Sequence, residues 1–306
     1  MKKYSRRDFL KISASAAALA ILPKVFFAAK KEIKKGPLVG VARGKPAKLV
    51  KAAIDAIGGM EKFVAQGSRV LIKPNIAFAA NAESGATTSA DIVKQVVELC
   101  LNAGAATIVI GEHTIASAEL CANKSNIRSA IVDEEKVSLL LFTKKRQFTE
   151  TTVAAGKVLT TVEIASELQK VDVIINLPVA KSHSATGVSL GMKNLMGLIW
   201  DRNFFHYTDL DQTIAELATV IKPDLNIIDA TRVLTDGGPG GPGETAVLNT
   251  VVASTDIVAA DSYAVGLTPW YGKSFKGTEV KHIIAAAELG VGEIDTARMD
   301  IKEIKV

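Results

Sequence analysis

Lysine, histidine, asparagine and aspartate recur in short polar segments that directly follow apolar ones. These are Lys73-Pro74-Asn75, Lys181-Ser182-His183, Lys193-Asn194 with the later His206, and Asp229 with Arg232 and Asp236. The ammonium groups of Lys73, Lys181 and Lys193 would suit a carboxylate or a phosphate if they converged. A desolvated lysine can also have its pKa lowered enough for base or Schiff-base chemistry. His183 and His206 read either as a general acid–base pair or as metal ligands, because imidazole titrates near neutrality. His113 and His282 rank lower; His282 falls in a helical pattern beside Ile283 and Ile284 and is expected on the surface. Asp229 ends an apolar run, where it would serve a metal or a hydroxyl, or cap a helix.

The candidate catalytic residues are therefore Lys181, His183, Lys193 and His206. The candidate ligand-binding residues are Lys73, Asn75, Asn194, Arg232 and Gly238, and the candidate metal ligands are His183, His206 and Asp229. Together they imply a small anionic partner, with a divalent metal left open and no cofactor named. The loop from Gly237 to Gly243 has no side-chain bulk apart from Pro239 and Pro242. It lacks the Lys-Ser/Thr of a phosphate-binding P-loop and reads as a lid or a tight backbone approach. Asp256 is expected to cap a helix. Asp261, one turn further, is expected to be buried and to need a partner, with Lys193 or Arg232 able to serve.

These residues need a frame, and the apolar pattern supplies one. Short apolar runs at Arg69–Ile72, Thr107–Ile110, Val137–Phe142, Val171–Leu177, Leu225–Ile228 and Leu248–Ala253 alternate with amphipathic helical stretches. The helices include Lys45–Ile57, one that continues from Thr88-Ser89-Ala90-Asp91, read as a capping box, one capped by Asp209, and Ile257–Gly266 and Val280–Leu289. Such a pattern predicts an α/β fold, a largely parallel sheet with helices on both faces, as one large domain or two packed lobes. Ligands of open sheets of this kind bind beyond the carboxyl ends of the strands, which is where the polar segments fall, Glu112 and His113 after Thr107–Ile110 among them, so one shared cleft is expected.

Composition bounds the alternatives. The chain has 306 residues, of which 23% are charged, 48% hydrophobic and 5% aromatic. No apolar run reaches the about 20 residues of a membrane-spanning helix in a multispanning protein. The basic excess sits at the start: residues 1–29 hold six basic residues against Asp8, and from Gly36 onward 27 basic residues face 30 acidic ones, a net of −3. A nucleic-acid binder keeps its positive charge on the folded surface, so that reading is dropped. Two cysteines are too few for a disulfide scaffold or a four-thiolate cluster. Cys100, beside Val96 and Val97, reads as a buried thiol, and a pair with Cys121 is the alternative.

The basic start has its own meaning. Ser5-Arg6-Arg7-Asp8-Phe9-Leu10-Lys11 precedes the apolar run Ile12–Leu22 and Pro23. A charged start, a short apolar stretch and a small-residue end describe a signal peptide over residues 1–29, and the arginine pair resembles the twin-arginine export motif. The partner during export is then the twin-arginine translocase, which passes folded proteins to the periplasm or another extracytoplasmic space. Phe27-Ala28-Ala29 lacks a small residue at the −3 position, so an uncleaved amino-terminal anchor stays open.

Lys73-Pro74-Asn75, Leu177-Pro178-Val179-Ala180-Lys181-Ser182-His183, Gly191-Met192-Lys193-Asn194-Leu195-Met196-Gly197, His206, Pro223-Asp224-Leu225 with Asp229, Gly238-Pro239, and Asp256 with Asp261 resemble the family called domain of unknown function 362. The resemblance runs from about Gly36 to Leu267, and residues 36–306 are read as its α/β domain. Many members carry a ferredoxin-like segment with cysteine repeats; this chain has none, so no iron–sulfur cluster is expected. On architecture alone the chain is also similar to nickel-pincer lactate racemases, whose residue roles cannot be placed here one by one. Three functions stay open. One is an exported enzyme acting on a small anion through a Lys/His/Asp cleft. The others are a non-catalytic periplasmic binding protein or cofactor carrier, and an accessory subunit of an exported redox complex.

Overall fold

The computed structural model describes residues 36–306, so the signal-peptide reading of residues 1–29 lies outside the described residues. The first half alternates strictly: β1 (Leu38–Arg43), α1 (Pro46–Asp55), β2 (Arg69–Pro74), α2 (Ala90–Asn102), β3 (Thr107–Glu112), α3 (Ala118–Ser125) and β4 (Val137–Leu141). An antiparallel pair, β5 (Phe148–Thr152) and β6 (Thr161–Ala165), stands apart as its own small sheet. Then come β7 (Val173–Leu177), β8 (Val179–His183), β9 (Gly187–Ser189), α4 (Gly191–Asn194), α5 (Asn203–Tyr207) and α6 (Leu210–Val220). The chain closes with β10 (Leu225–Leu234), β11 (Thr245–Ser254), α7 (Ile257–Val265), α8 (Lys281–Glu288) and β12 (Asp300–Lys305).

The large sheet runs β12-β1-β11-β10-β7-β2-β3-β4. Strands β10, β7, β2, β3 and β4 are mutually parallel, β12 is parallel to β1, and β11 runs antiparallel to both its neighbours. The mostly parallel α/β fold expected from the sequence is the fold observed. Alternation along each strand feeds two cores. Val70 and Ile72 of β2 face one layer with α1 and α2, while Leu71 faces the layer that holds α4, α6, α7 and α8. In α2, Ile92, Val93, Val96, Val97 and Cys100 are all buried. Each such aliphatic side chain contributes about 1.5–3 kcal/mol relative to exposure. Both cysteines are free and buried, and burial pushes the Cys100 thiol up to about 12.

Strand order reverses at β2. From there the chain steps outward through β3 to β4, and it returns on the other side of β2 as β7. The carboxyl ends of β2 and β7 therefore flank a crevice that no crossover covers, the usual ligand position in such sheets. Pro178 interrupts β7, and the chain resumes as β8, which pairs with β10 across an irregular register and with β9. All five residues of β8 are buried, so Lys181-Ser182-His183 is a strand and not an exposed loop.

Several sequence expectations are corrected. Strand β10 continues five residues past Asp229, because β11 pairs with it along most of its length. The start of α2 is not a capping box: Ser89 is the N-cap without a side-chain bond, and its N–H goes to Asp229 Oδ2 at 2.9 Å. His282 is fully buried between packed helices instead of lying on the surface. Asp261 takes neither Lys193 nor Arg232 as partner; it accepts the Gly191 and Met192 N–H groups at 2.7 and 2.9 Å. Asp209 and Asp256 cap α6 and α7 as expected.

Candidate functional site

A cleft of about 280 Å³ opens at the reversal point. Asn75 from the end of β2, Glu112 from the end of β3, Lys181 and His183 from β8, and Lys193 and Asn194 from α4 all line it. Arg202 and His206 close one side, and Phe78, Ile115, Met196 and Pro239 supply apolar wall. Alternation along β8 places Lys181 and His183 on the cleft side. Ser182 faces away, and its Oγ accepts the Gly238 N–H at 3.1 Å.

Lys73 sits behind this wall. Its ammonium donates to Glu112 Oε2 at 2.8 Å, to Asn194 Oδ1 at 3.1 Å and to the Pro74 carbonyl. Both members of the Lys73–Glu112 pair are fully buried. Asn194 is the hub: its Oδ1 also accepts from Asn75 Nδ2, and its Nδ2 donates to the Lys73 carbonyl and to Asn176 Oδ1. Asn176 passes the chain on to Asn226. Buried polar networks of this kind hold their side chains to one geometry.

The remaining cations are placed differently. Lys181 Nζ donates to Asn75 Oδ1 at 2.6 Å and to the Ala86 carbonyl at 2.7 Å, and lies 5.0 Å from the centre of the Phe78 ring. Lys193 Nζ reaches Met196 Sδ at 3.3 Å, a weak acceptor. Burial lowers Lys181 to about 7, with Glu112 opposing and Lys193 and Lys73 adding to the fall. Burial, aided by Arg202 and opposed by Asp211, lowers Lys193 to about 8. Arg202 Nη2 donates to the His113 carbonyl and stands 3.9 Å from Glu112 Oε1. That Oε1 is buried on the cleft wall without a hydrogen-bond partner.

His183 is held neutral, lowered to about 3 by burial first and then by Lys193 and Lys181. Its Nδ1 accepts the Ala185 N–H at 3.1 Å. A neutral imidazole whose Nδ1 accepts must carry its proton on Nε2. His183 therefore presents an N–H donor to the cleft, where the sequence had suggested a base or a metal ligand. His206 is exposed at the mouth, and burial and Lys193 lower it as well.

The structure thus brings together Lys181, His183, Lys193, His206, Asn75 and Asn194, with Lys73 one layer behind. Three candidates fall elsewhere. Arg232 lies on β10 opposite Val247 and does not line the cleft. Asp229 turns to Ser89 and to Thr231, whose N–H and Oγ1 both bond its Oδ1. Gly238 clamps β8: its N–H is taken by Ser182, and a Cβ there would stand 1.9 Å from the Ser182 carbonyl oxygen. The proposed metal set is therefore not assembled. Among the described residues no group of three or more His, Cys, Asp and Glu side chains is placed to hold a metal ion.

Sequence reading misses Arg202 as a contributor. Glu112 is legible as a strand-end residue of the cleft, but its pairing follows from Lys73, 39 residues earlier. Arg202 had one signal, its place between the Lys193–Gly197 segment and His206.

A mostly parallel α/β sheet with a cationic cleft at its reversal point defines the class of protein. The chain belongs to the family described as Domain of unknown function (DUF362), whose model matches residues 70–266. Residues 3–23 match the TAT (twin-arginine translocation) pathway signal sequence, so the protein is exported across the membrane by that route. Among the described residues no helix is long and apolar enough to cross a membrane. A thylakoid-associated protein of Synechocystis sp., sll1697, is 28% identical over 227 residues, covering 69% of this chain and 66% of that protein. The chain thus spans just under two thirds of that relative. The lactate racemase apoprotein from Thermoanaerobacterium thermosaccharolyticum is similar at a TM-score of 0.45 and 11% identity, over 74% of this chain and 57% of its own.

Proposed function

We propose that the exported protein binds a small anion, a carboxylate or a phosphate that also carries a hydrogen-bond donor, in this cleft. One observation carries the reading: Lys193 is buried on the cleft wall with a thioether as its hydrogen-bond acceptor. A buried ammonium without a strong acceptor is costly, and an incoming oxyanion relieves that cost. Lys181 and Arg202 add charge, and the Nε2–H of His183 adds a neutral donor. Glu112 Oε1, ion-paired with Arg202 but without a hydrogen-bond partner, accepts one hydrogen bond from the ligand, which favours an anion bearing a hydroxyl or amide. A divalent cation would meet two histidines among three cationic side chains, which argues against a metal here.

Calorimetric titration with inorganic phosphate and a series of short hydroxylated and plain carboxylates tests this. At least one should bind, and Lys193→Met should weaken it at least tenfold. Equal affinity in that variant, or no binding across the series at millimolar concentration, rejects the anion reading.

A second reading adds proton transfer. Lys181 titrates near neutrality, as a catalytic acid or base must. Incubating the bound anion in deuterated buffer should label it in wild type and not in Lys181→Met. An anion recovered unlabelled supports a binding protein without catalysis.

A further inference from the structure

We propose that Asp211 and His282 form a buried positioning dyad that places a counter-charge on the Lys193 ammonium. Neither residue lines the cleft. His282 opens α8 and is fully buried. Its Nδ1 lies 3.3 Å from Asp211 Oδ1, in the first turn of α6. The carboxylate accepts from Nδ1–H, which leaves Nε2 as a lone pair, and that Nε2 is buried without a partner. Packing alone would favour an apolar side chain at such a point, because an unsatisfied buried nitrogen costs about 1–3 kcal/mol.

The dyad lies close behind the cleft. Helix α6 packs against both α8 and α4, the helix that carries Lys193. Asp211 lines a second cavity of about 290 Å³ with Ala185 and Gly187, and Ala185 also lines the main cleft and holds His183. The other groups in electrostatic contact with Lys193 are positive or neutral: Arg202, Lys181 and His183 of β8, His206 of α5, and His282 itself. Asp211 is the carboxylate that acts on it in the opposite sense. His282 fixes the direction of that carboxylate, so it acts on Lys193 through Asp211.

Competitive labelling of the full protein with acetic anhydride at pH 7, read lysine by lysine by mass spectrometry, tests the dyad, with exposed Lys170 as internal reference. Asp211→Asn should speed Lys193 acetylation roughly threefold or more, because loss of the carboxylate raises the neutral amine fraction. His282→Ala should do the same, while His282→Asn, whose amide nitrogen replaces the Nδ1 donor, should stay near wild type. Lys73 should not change in any of them. Equal Lys193 rates in His282→Ala, His282→Asn and wild type overturn the proposal, whatever happens to the melting temperature. If Asp211→Asn fails to fold, the two His282 variants decide alone. The readout needs no ligand, so a cleft that binds no anion leaves this result standing.

Discussion

Lys73 Nζ and Glu112 Oε2 meet at 2.8 Å with both side chains fully buried, one from the end of β2 and one from the end of β3. The two strands are adjacent and parallel, so the pair ties together the carboxyl ends on which the cleft is built. Its hydrogen bonds extend to Asn194 and to the Ile76 N–H. The pair therefore shapes the wall, while the Lys193 ammonium beside it has the Met196 thioether as its hydrogen-bond acceptor.

Breaking that pair from one side should be costly. Lys73→Met leaves Glu112 buried without its cation, and such losses cost about 3–5 kcal/mol. The Lys73→Met/Glu112→Gln double variant should recover part of the loss. Urea denaturation of the four proteins measures the coupling, and additive single losses would show that the two groups act independently.

Gly197 should tolerate no side chain. A Cβ there would stand 2.0 Å from Glu112 Oε1 and 2.4 Å from Lys73 Cε, both fixed within the buried pair. Gly197→Ala should lower stability by about 1–3 kcal/mol through overpacking and weaken anion binding along with it. A melting temperature equal to wild type would mean that the pair can move aside.

Stability should depend on pH through the cleft lysine Lys181. It titrates at about 7 in the folded chain against an ordinary value of 10.5. Between those values the unfolded chain binds the extra proton, so this group makes stability rise with pH across that window. In Lys181→Met the contribution is gone. The stability difference between wild type and variant should therefore move in favour of wild type from pH 7 to pH 10, by on the order of a few kcal/mol. A difference independent of pH would place Lys181 in a more hydrated setting.

Anion affinity should fall over the same range. Lys193 loses its proton at about 8, so phosphate binding should be strongest below pH 7 and decline as pH rises past 8. Calorimetry at several pH values, in buffers of different ionisation enthalpy, should also detect proton uptake on binding. Affinity that rises with pH would remove Lys193 from the site.

Export should need the arginine pair itself. With Arg6 and Arg7 both changed to lysine, charge is kept but the motif is lost, and the folded body should accumulate in the cytoplasm. Fractionation of cells expressing the variant reads this directly, and undiminished export would point to another route.

Much of this protein is legible from local pattern. Arg69–Ile72 and Val171–Leu177 read as buried strands because their apolar runs are continuous, and both are strands in the sheet. The spacing of Lys181 and His183 already put them on one side of an extended segment. The arginine pair before Ile12–Leu22 is likewise a local signal, and the export family model matches it. Periodicity, turn residues and short motifs act over a few residues, so a single chain displays them without its fold.

Pairing and burial are different, because they depend on residues far apart in the chain. Lys73 looked like a free ligand-binding lysine until Glu112 and Asn194, 39 and 121 residues away, were seen to hold it. Asp229 looked like a strand-end metal ligand until β11 extended β10 past it and Ser89, 140 residues earlier, took its carboxylate. His282 read as a surface residue because a helical pattern shows which residues share a face but not which face meets α6. The residue types and their places just after apolar runs were determined by the sequence alone. Which of them keep an unmet charge on the cleft was decided only by tertiary contacts, since a charged group's chemistry is set by the partners and solvent that long-range packing leaves it.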